Sequence, residues 1–305
     1  MDQQLEVFLS VVDNKNFSRA ADELHMTQPA VSQYIRTLEE KLGVRLLDRT
    51  NKYVRVTKAG EIVYHHSKEI VGLYTKMGSL LDDLTNQVKG PLSIGASYTY
   101  GEYVLPHLIA KMKKQYPDIE PKVTIGNTVK IAELVKSHQI DIGIIEGPLK
   151  KEKQIEIRDF AEDHMVIIAS LNHPLVRKNG EVTITDLEDE AWILREEGSG
   201  TREAGESVFK QLHISPKNIM TFGSTQAIKE AVEAGLGISI LSQLVVKKEI
   251  KHGNLKIVDF PGLPYIRKFS FITNSPFQTK ALQEFITLLG TGGTVPLVPL
   301  EIPEN

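Results

Sequence analysis

The sequence predicts an α/β protein in which a helix-turn-helix with a basic hairpin leads into one long helix and then into two α/β lobes in series. Three observations predict it. Phe17 to Arg49 reads as two short helices meeting at a tight corner, with a basic segment behind. A periodic apolar run then continues from Lys58 until Gly90-Pro91 ends it. From Leu92 the rhythm changes to strand, loop and helix, repeated, which is the pattern of a parallel α/β sheet.

The bulk composition sets limits. The chain has 305 residues, 41% hydrophobic and 25% charged, an ordinary globular composition long enough for two or three domains. Cysteine is absent. That removes disulfides, cysteine–zinc sites and thiol catalysis, and it suits a cytoplasmic protein. The start, MDQQLEVFLSVVDNKNF, lacks the basic opening and apolar core of a signal peptide. No apolar run approaches the roughly 20 residues of a membrane span. With a net charge of -3, contact with nucleic acid has to come from a local patch. Between Gln28 and Lys58 the cations Arg36, Lys41, Arg45, Arg49, Lys52, Arg55 and Lys58 outnumber the acids Glu39, Glu40 and Asp48.

In chain order, Leu5, Phe8, Leu9 and Val12 predict a supporting first helix, closed by Phe17. Ser18 is placed to cap the next helix, which carries Ala20, Ala21 and Leu24 and breaks at His25-Met26. Thr27 caps a second helix with Pro29 in its first turn, where the missing N–H costs nothing. Ala30, Val31, Ile35, Leu38 and Leu42 give that helix a core face, and Gly43 ends it. Its other face shows Gln28, Ser32, Gln33, Arg36 and Thr37, groups that bond to base edges or phosphates. This is a helix-turn-helix, whose second helix enters the DNA major groove. Leu46–Arg49 and Tyr53–Val56 read as two strands joined by Thr50-Asn51-Lys52, a basic wing for the adjacent backbone or minor groove. Arg45 is expected to be spent on pairing with Glu39, Glu40 or Asp48; Arg49 is expected to be free for DNA.

The long helix, Lys58 to Val88, carries Ile70, Leu73, Met77, Leu80 and Leu84 at alternating spacings of three and four. That is a coiled-coil seam and predicts pairing with a second copy, which would supply a second recognition helix. Beyond it, LSIGAS, PKVTIGN and DIGIIEG are strands, with helices from Gly101 to Tyr116 and from Val129 to Ser137. A second set follows: HMVIIAS, a helix after Thr185, AWILREEG, a helix from Thr201 to Leu212, NIMTFGS, a helix from Thr225 to Ala234, and GISILS. RKFSFITN and the helix Thr279 to Leu289 return to the first lobe, making a clamshell with a ligand cleft at the strand ends.

The segments FSRAADELHMTQPAVSQYIRTLEEKLGVRLLDR, TKAG, LSIGAS, DIGIIEG and EAGLGISIL resemble the LysR-type transcriptional regulators, over about Met1 to Leu289. The resemblance implies a winged helix-turn-helix DNA-binding domain over residues 1–58 and a linker helix over 59–88 that makes a homodimer. It implies a two-lobed effector domain of periplasmic-binding-protein type over 89–292, with 293–305 as a tail. Lobe I takes 89–161 and 266–292, and lobe II takes 162–265. It further implies assembly of dimers into a homotetramer on double-stranded promoter DNA, contact with RNA polymerase, and activation of a target operon with repression of the regulator's own gene. On matching positions, Thr27, Gln28, Pro29 and Ser32 become recognition-helix contacts, with Arg36 one turn on. Gln33 stands where many relatives have arginine, which favours adenine instead. Arg49, Arg55 and Lys58 hold the DNA backbone, so binding weakens as salt rises.

Polar clusters follow the apolar strands. Ser97-Tyr98-Thr99, Asn127-Thr128, Ser199 with Thr201-Arg202, and Thr225 each open a helix with hydroxyls and free N–H groups. Together they point to a small anionic effector and no cofactor. Capping alone explains Asn127 or Ser224. For Ser199 and Thr201 two roles stay open, effector contact or tightening of a glycine-rich turn. Family members use the positions matching Ser97, Thr99 and Thr201 for effector. The phrase REEGSGTR resembles regulators of sulfur assimilation and carbon fixation, which makes sulfite or sulfate the first candidate.

Enzyme readings fail on spacing. Ser199 lies between glycines without the Gly-x-Ser-x-Gly elbow. His65 and His66 are adjacent and expected to diverge, so no metal site is expected. Gly235-Leu236-Gly237 precedes a strand, whereas a dinucleotide loop follows one. A free-standing solute-binding protein would need an export signal.

Overall fold

The computed structural model describes residues 2–49, 54–82, 88–149, 155–178 and 180–292. The chain divides into an N-terminal unit, residues 1–84, and a C-terminal unit holding nearly all the rest. Among the described residues no helix is long and apolar enough to cross a membrane.

The N-terminal unit runs α1 (Asp2–Asn14), α2 (Phe17–Glu23), α3 (Gln28–Leu42), β1 (Leu47–Arg49), β2 (Val54–Val56) and α4 (Lys58–Asp82). Two expectations shift by register. The buried face of α1 is Leu5, Val7, Phe8 and Val11; Leu9 and Val12 are only half-buried. Asn16, not Ser18, caps α2, accepting from Ser18 N at 2.8 Å and Arg19 N at 3.0 Å. The helix begins two residues earlier than expected, so Ser18 becomes a donor inside the first turn. Thr27 caps α3 through Ala30 N as expected, and Gly43 ends it at φ +69°. Val31, Ile35 and Leu38 enter the core, but Leu42 is 46% exposed, because the core stops one turn before the helix does.

The wing is antiparallel, with Leu47 opposite Val56, Asp48 opposite Arg55 and Arg49 opposite Val54. The expected turn Thr50-Asn51-Lys52 and Tyr53 lie outside the described residues. Thr57 couples wing to helix: its hydroxyl donates to Arg45 O at 2.8 Å and accepts from Gly60 N at 3.0 Å. Gly60 lies so close to Leu46 that a Cβ there would overlap its carbonyl, so TKAG needs the glycine at this crossing. α4 turns Val63, Tyr64 and Val71 toward the N-terminal core. Its other face leaves Ile70, Leu73, Tyr74, Met77 and Leu81 about half exposed. The described helix ends at Asp82; residues 83–87, with Leu84, lie outside the described residues, and Val88 packs instead on the C-terminal unit's core.

The C-terminal unit opens with β3 (Gly90–Ser97), α5 (Tyr98–Tyr103), α6 (Leu105–Gln115), β4 (Ile119–Gly126), α7 (Thr128–Lys136) and β5 (Ile142–Glu146). It continues with β6 (Glu156–Ser170), α8 (Pro174–Arg177), α9 (Ile184–Asp189), β7 (Ala191–Arg195), α10 (Gly200–Leu212), β8 (Asn218–Phe222) and α11 (Thr225–Glu233). It closes with β9 (Ser239–Ser242), α12 (Gln243–His252), β10 (Leu255–Val258), β11 (Tyr265–Thr273) and α13 (Lys280–Gly292). The helix expected from Gly101 begins at Tyr98 and breaks at Val104, so Thr99 sits in a first turn. Thr183, not Thr185, marks the start of α9, where it forms a capping box with Asp186.

The expected all-parallel sheet is corrected to a mixed one. β3 pairs in parallel with β4 and β5. β11 runs antiparallel to β5 and β6, and β6 runs antiparallel to β9 and β10. HMVIIAS proves to be only the second half of β6, a strand of 15 residues. β6 and β11 pair from Glu156–Thr273 to Met165–Tyr265 and thread both lobes. Lobe I packs Leu92, Ile94, Tyr100, Phe269 and Phe285 into one core. Lobe II packs Met165, Ile167, Leu194 and Phe209 around Trp192, whose Nε1–H donates to Leu187 O at 2.7 Å. Where the two long strands cross between these cores, Asp163 and Arg267 stand opposite each other.

Candidate functional site

The N-terminal unit presents a polar hollow of about 550 Å³, lined by Pro29, Ser32, Gln33, Arg36, Glu39, Arg45 and Leu47. Most of its polar groups come from the outer face of α3, which buries the opposite face. Gln28 Nε2 donates to Ser32 Oγ at 3.0 Å, and Gln33 Nε2 to Thr37 Oγ1 at 3.5 Å. These bonds extend the side chains along the helix with further donors and acceptors to spare. Arg36 pairs with Glu40 at 2.8 Å with both side chains well exposed. Such a pair contributes little and yields readily to a phosphate. Lys58 is likewise held by exposed Glu61, whose hydrogen bond and charge raise its pKa. Arg55 projects from β2 into solvent, and Arg49 is in β1. The expected pairing of Arg45 is not there. Glu39 accepts from Leu46 N and Leu47 N instead, at 2.7 and 3.2 Å. Arg45, exposed and without an ion pair among the described residues, therefore joins the hollow that the sequence reading had denied it.

The C-terminal unit gathers the predicted hydroxyls between its lobes. Ser97, Thr99, Thr128, Ser199, Thr201 and Thr225 are all buried. Ser97 Oγ and Thr128 Oγ1 lie 3.4 Å apart, and Thr128 donates to Glu146 O at 3.2 Å. Thr99 N–H donates to Glu146 Oε1 at 2.8 Å, and Thr201 Oγ1 donates to Glu146 Oε2 at 3.2 Å. Ser199 caps α10 by accepting from Thr201 N at 3.2 Å. The approach is close: a Cβ on Gly200 would overlap Glu146 O.

Four charged residues that sequence reasoning missed organise this cleft. Arg267 reaches Glu146 Oε2 at 2.9 Å and Asp163 Oδ2 at 2.7 Å, and it donates to Thr201 Oγ1 and Thr99 Oγ1, each at 3.1 Å. Ser242 Oγ donates to the other Asp163 oxygen at 2.5 Å. Burial disfavours the Arg267 charge, but Glu146 and Asp163 outweigh it and the pKa lies above the ordinary arginine value. Burial pushes Asp163 up, against the pull of Arg267 and Ser242. Arg195 clasps Glu196 through two nitrogens at 2.7 and 2.8 Å, donates to Thr225 Oγ1 at 3.2 Å and stacks over the Tyr98 ring at 4.3 Å. Asn127 Nδ2 donates to Glu196 Oε1 at 3.3 Å. Tyr98, Asn127 and Thr225 thus belong to the Arg195 cluster, while Thr99, Thr128 and Thr201 belong to the Arg267 cluster. Arg202 joins neither centre; it pairs with Glu206 on its own helix and donates to Arg195 O. Glu146 and Arg195 carry a local signal, a charge that ends an apolar strand; Asp163 and Arg267 lie inside β6 and β11 and carry none.

His65 and His66 do not diverge as expected. Their rings lie 5.2 Å apart and both approach Glu69, at 3.7 and 3.1 Å. The cluster is largely exposed, and nothing buried fixes it.

Comparison with known proteins matches both halves. Residues 3–61 match the family described as bacterial regulatory helix-turn-helix protein, lysR family, and residues 85–293 match the LysR substrate binding domain. The HTH-type transcriptional regulator CysL of Bacillus subtilis is 42% identical over 287 residues, covering 93% of this chain and 95% of that protein. The regulatory domain of CcmR from Synechocystis PCC6803, solved in complex with 2-PG, aligns with a TM-score of 0.60 and 29% identity, over 68% of this chain and 99% of that one. Full-length CbnR, solved with its target DNA, aligns with a TM-score of 0.71 over 94% of this chain and 98% of that one, at 22% identity.

Proposed function

The chain belongs to the LysR family of DNA-binding transcriptional regulators, and on that footing we propose that a small anion held between its lobes sets how copies of the winged helix-turn-helix engage promoter DNA. The family's named members are regulators and not enzymes. The observation that carries the anion reading is convergence: Thr99 from one lobe, Thr201 from the other and Arg267 from a crossing strand all direct donors at one oxyanion, the Glu146 carboxylate. A donor set that holds one carboxylate suits another oxyanion. CcmR, a relative by fold and sequence, was solved with 2-PG in its regulatory domain. Sulfite and sulfate are the first anions to try, given the resemblance of REEGSGTR to regulators of sulfur assimilation.

On DNA, α3 enters the major groove with Thr27, Gln28, Pro29, Ser32, Gln33 and Arg36 toward the bases, while Arg45, Arg49, Arg55 and Lys58 hold the backbone. The exposed stripe Ile70, Leu73, Met77 on α4 supports homodimers through this helix, and dimers pair into homotetramers that contact RNA polymerase in the cytoplasm. The test is a thermal-shift titration of the full chain with sulfite, sulfate and inorganic phosphate. Stabilisation by at least one anion is expected, with loss of that response in Thr99→Ala, which keeps the N–H but removes the hydroxyl that positions Arg267 Nη2 at 3.1 Å. A response of unchanged size in Thr99→Ala removes the cleft assignment.

A further inference from the structure

Resting on the cleft reading above, we infer that Glu146 is an internal ligand: its carboxylate fills the anion place and latches the lobes, and an effector anion binds by displacing it.

A guanidinium has five N–H groups. In Arg267, Nε–H donates to Asp163, an Nη2–H to Thr99 and an Nη1–H to Thr201, while Nη2 and Nη1 also lie within ion-pair distance of Asp163 and Glu146, at 2.7 and 2.9 Å. All three nitrogens already face protein oxygens. An incoming oxyanion that uses Arg267 has to take a place already held.

The two acids holding Arg267 are not equivalent. Asp163 sits on β6 directly beside Arg267 on β11, is approached by two guanidinium nitrogens, and has its second oxygen held by Ser242. That pair alone neutralises Arg267. Glu146 is a second carboxylate on the same cation, with a side chain only 3% exposed. A buried charge beyond what its partner neutralises is unfavourable for stability, so the fold alone does not account for it. Glu146 ends β5 and is followed by Gly147 at φ +77°, a strand end with glycine freedom behind it. Its carboxylate accepts from Thr99 on lobe I and from Thr201 on lobe II. It therefore does in the closed cleft what an effector anion would do.

Displacement of Glu146 by an external anion leaves the charge of the inner cleft unchanged if that anion is monovalent, and Arg267 keeps Asp163 throughout. Ser97 and Thr128 lie beside Glu146, so a tetrahedral oxyanion gains hydroxyl contacts that a carboxylate does not use. The attached carboxylate competes at the high effective concentration of an intramolecular group. Glu146 thereby lowers the affinity for every anion and sets a threshold that only a well-fitted oxyanion crosses.

The test is calorimetric titration of the full-length protein with sodium sulfate and sodium phosphate, in wild type, Glu146→Gln and the double variant Glu146→Gln with Thr99→Ala. Glutamine keeps the size and one acceptor for Thr99 N–H but removes the competing charge, and the intact Arg267–Asp163 pair keeps the fold. The inference expects at least one of these anions to bind Glu146→Gln about tenfold tighter or more than wild type, with the gain abolished in the double variant. A merely structural Glu146 would give no gain in affinity. Equal or weaker binding in Glu146→Gln, including none in either protein, overturns the latch; if Thr99→Ala alone still abolishes the wild-type response, the cleft reading survives that failure. A gain that persists in the double variant places the anion elsewhere and overturns both.

Discussion

Arg267→Met is the perturbation whose size follows most directly from the geometry. Arg267 is the cation common to two buried carboxylates, Glu146 and Asp163, whose side chains are 3% and 0% exposed. Methionine fills much of the volume but leaves both acids without a positive partner. Breaking a buried ion pair by removing one partner costs about 3–5 kcal/mol, because the remaining charge stays desolvated. For a unit of this size about 1 kcal/mol moves the melting temperature by roughly 2–4 °C, so a fall of about 10 °C is expected. The sign of the pH dependence follows. In the intact protein burial already raises Asp163 above its ordinary value against the pull of Arg267; with Arg267 gone that pull is lost and the Asp163 carboxyl rises further. A raised acid pKa gives stability that is present at low pH and lost as pH rises through the unfolded value. The deficit of the variant therefore shrinks as pH falls from about 8 to about 5. Thermal unfolding followed by circular dichroism reads both effects. Adding Asp163→Asn and Glu146→Gln to Arg267→Met should recover most of the loss. A loss below about 1 kcal/mol, or a deficit that does not shrink on acidification, would refute the reasoning that these acids are buried and charged.

Two further outcomes are expected. Arg45→Ala and Arg55→Ala should each weaken binding about equally to all DNA sequences and reduce the slope of log affinity against log salt by about 1, measured by fluorescence anisotropy; an unchanged slope for Arg45→Ala would return that residue to a structural role. Leu73→Asp with Met77→Asp should shift the full chain toward monomer in sedimentation experiments while leaving its helical content intact, since both residues are about half exposed; an unchanged oligomer would show that α4 is not the pairing surface.

The N-terminal unit was legible because its signals are local. Thr27, Pro29 and Gly43 bound α3 by capping chemistry, and the apolar period of 3.6 marks its buried face. The error at α2 came from two nearby residues that both cap well: Asn16 and Ser18 flank Phe17, and with Asn16 as the cap Phe17 packs against the core as the first helical residue. The sheet was less legible. The first half of β6, with Arg158, Asp159 and Glu162, alternates polar and half-buried residues, because only one face is covered there. α12 and the four-residue β10 were missed because LVVKKEIKH carries a run of lysines and LKIV is too short to stand out. In the cleft, the hydroxyl clusters were visible because each follows a strand. Arg267 and Asp163 were not, because their partnership depends on antiparallel pairing between β6 and β11, about a hundred residues apart in the chain, which no local pattern encodes. Arg202 stands at a helix start but pairs on its own helix with Glu206, whereas the charges that converge in the cleft stand on strands: Glu146 and Arg195 end β5 and β7, and Asp163 and Arg267 lie within β6 and β11.

The central claim is that an anion in the cleft changes how the regulator lies on DNA. Footprinting of the full-length protein on the promoter fragment of its own gene tests it, with and without whichever of sulfite, sulfate or phosphate gives the largest thermal shift. The anion is expected to alter the protected span for wild type, while Thr99→Ala protects the same span in its presence and absence and matches anion-free wild type. A Thr99→Ala protein whose footprint responds to the anion at the wild-type concentration would contradict it.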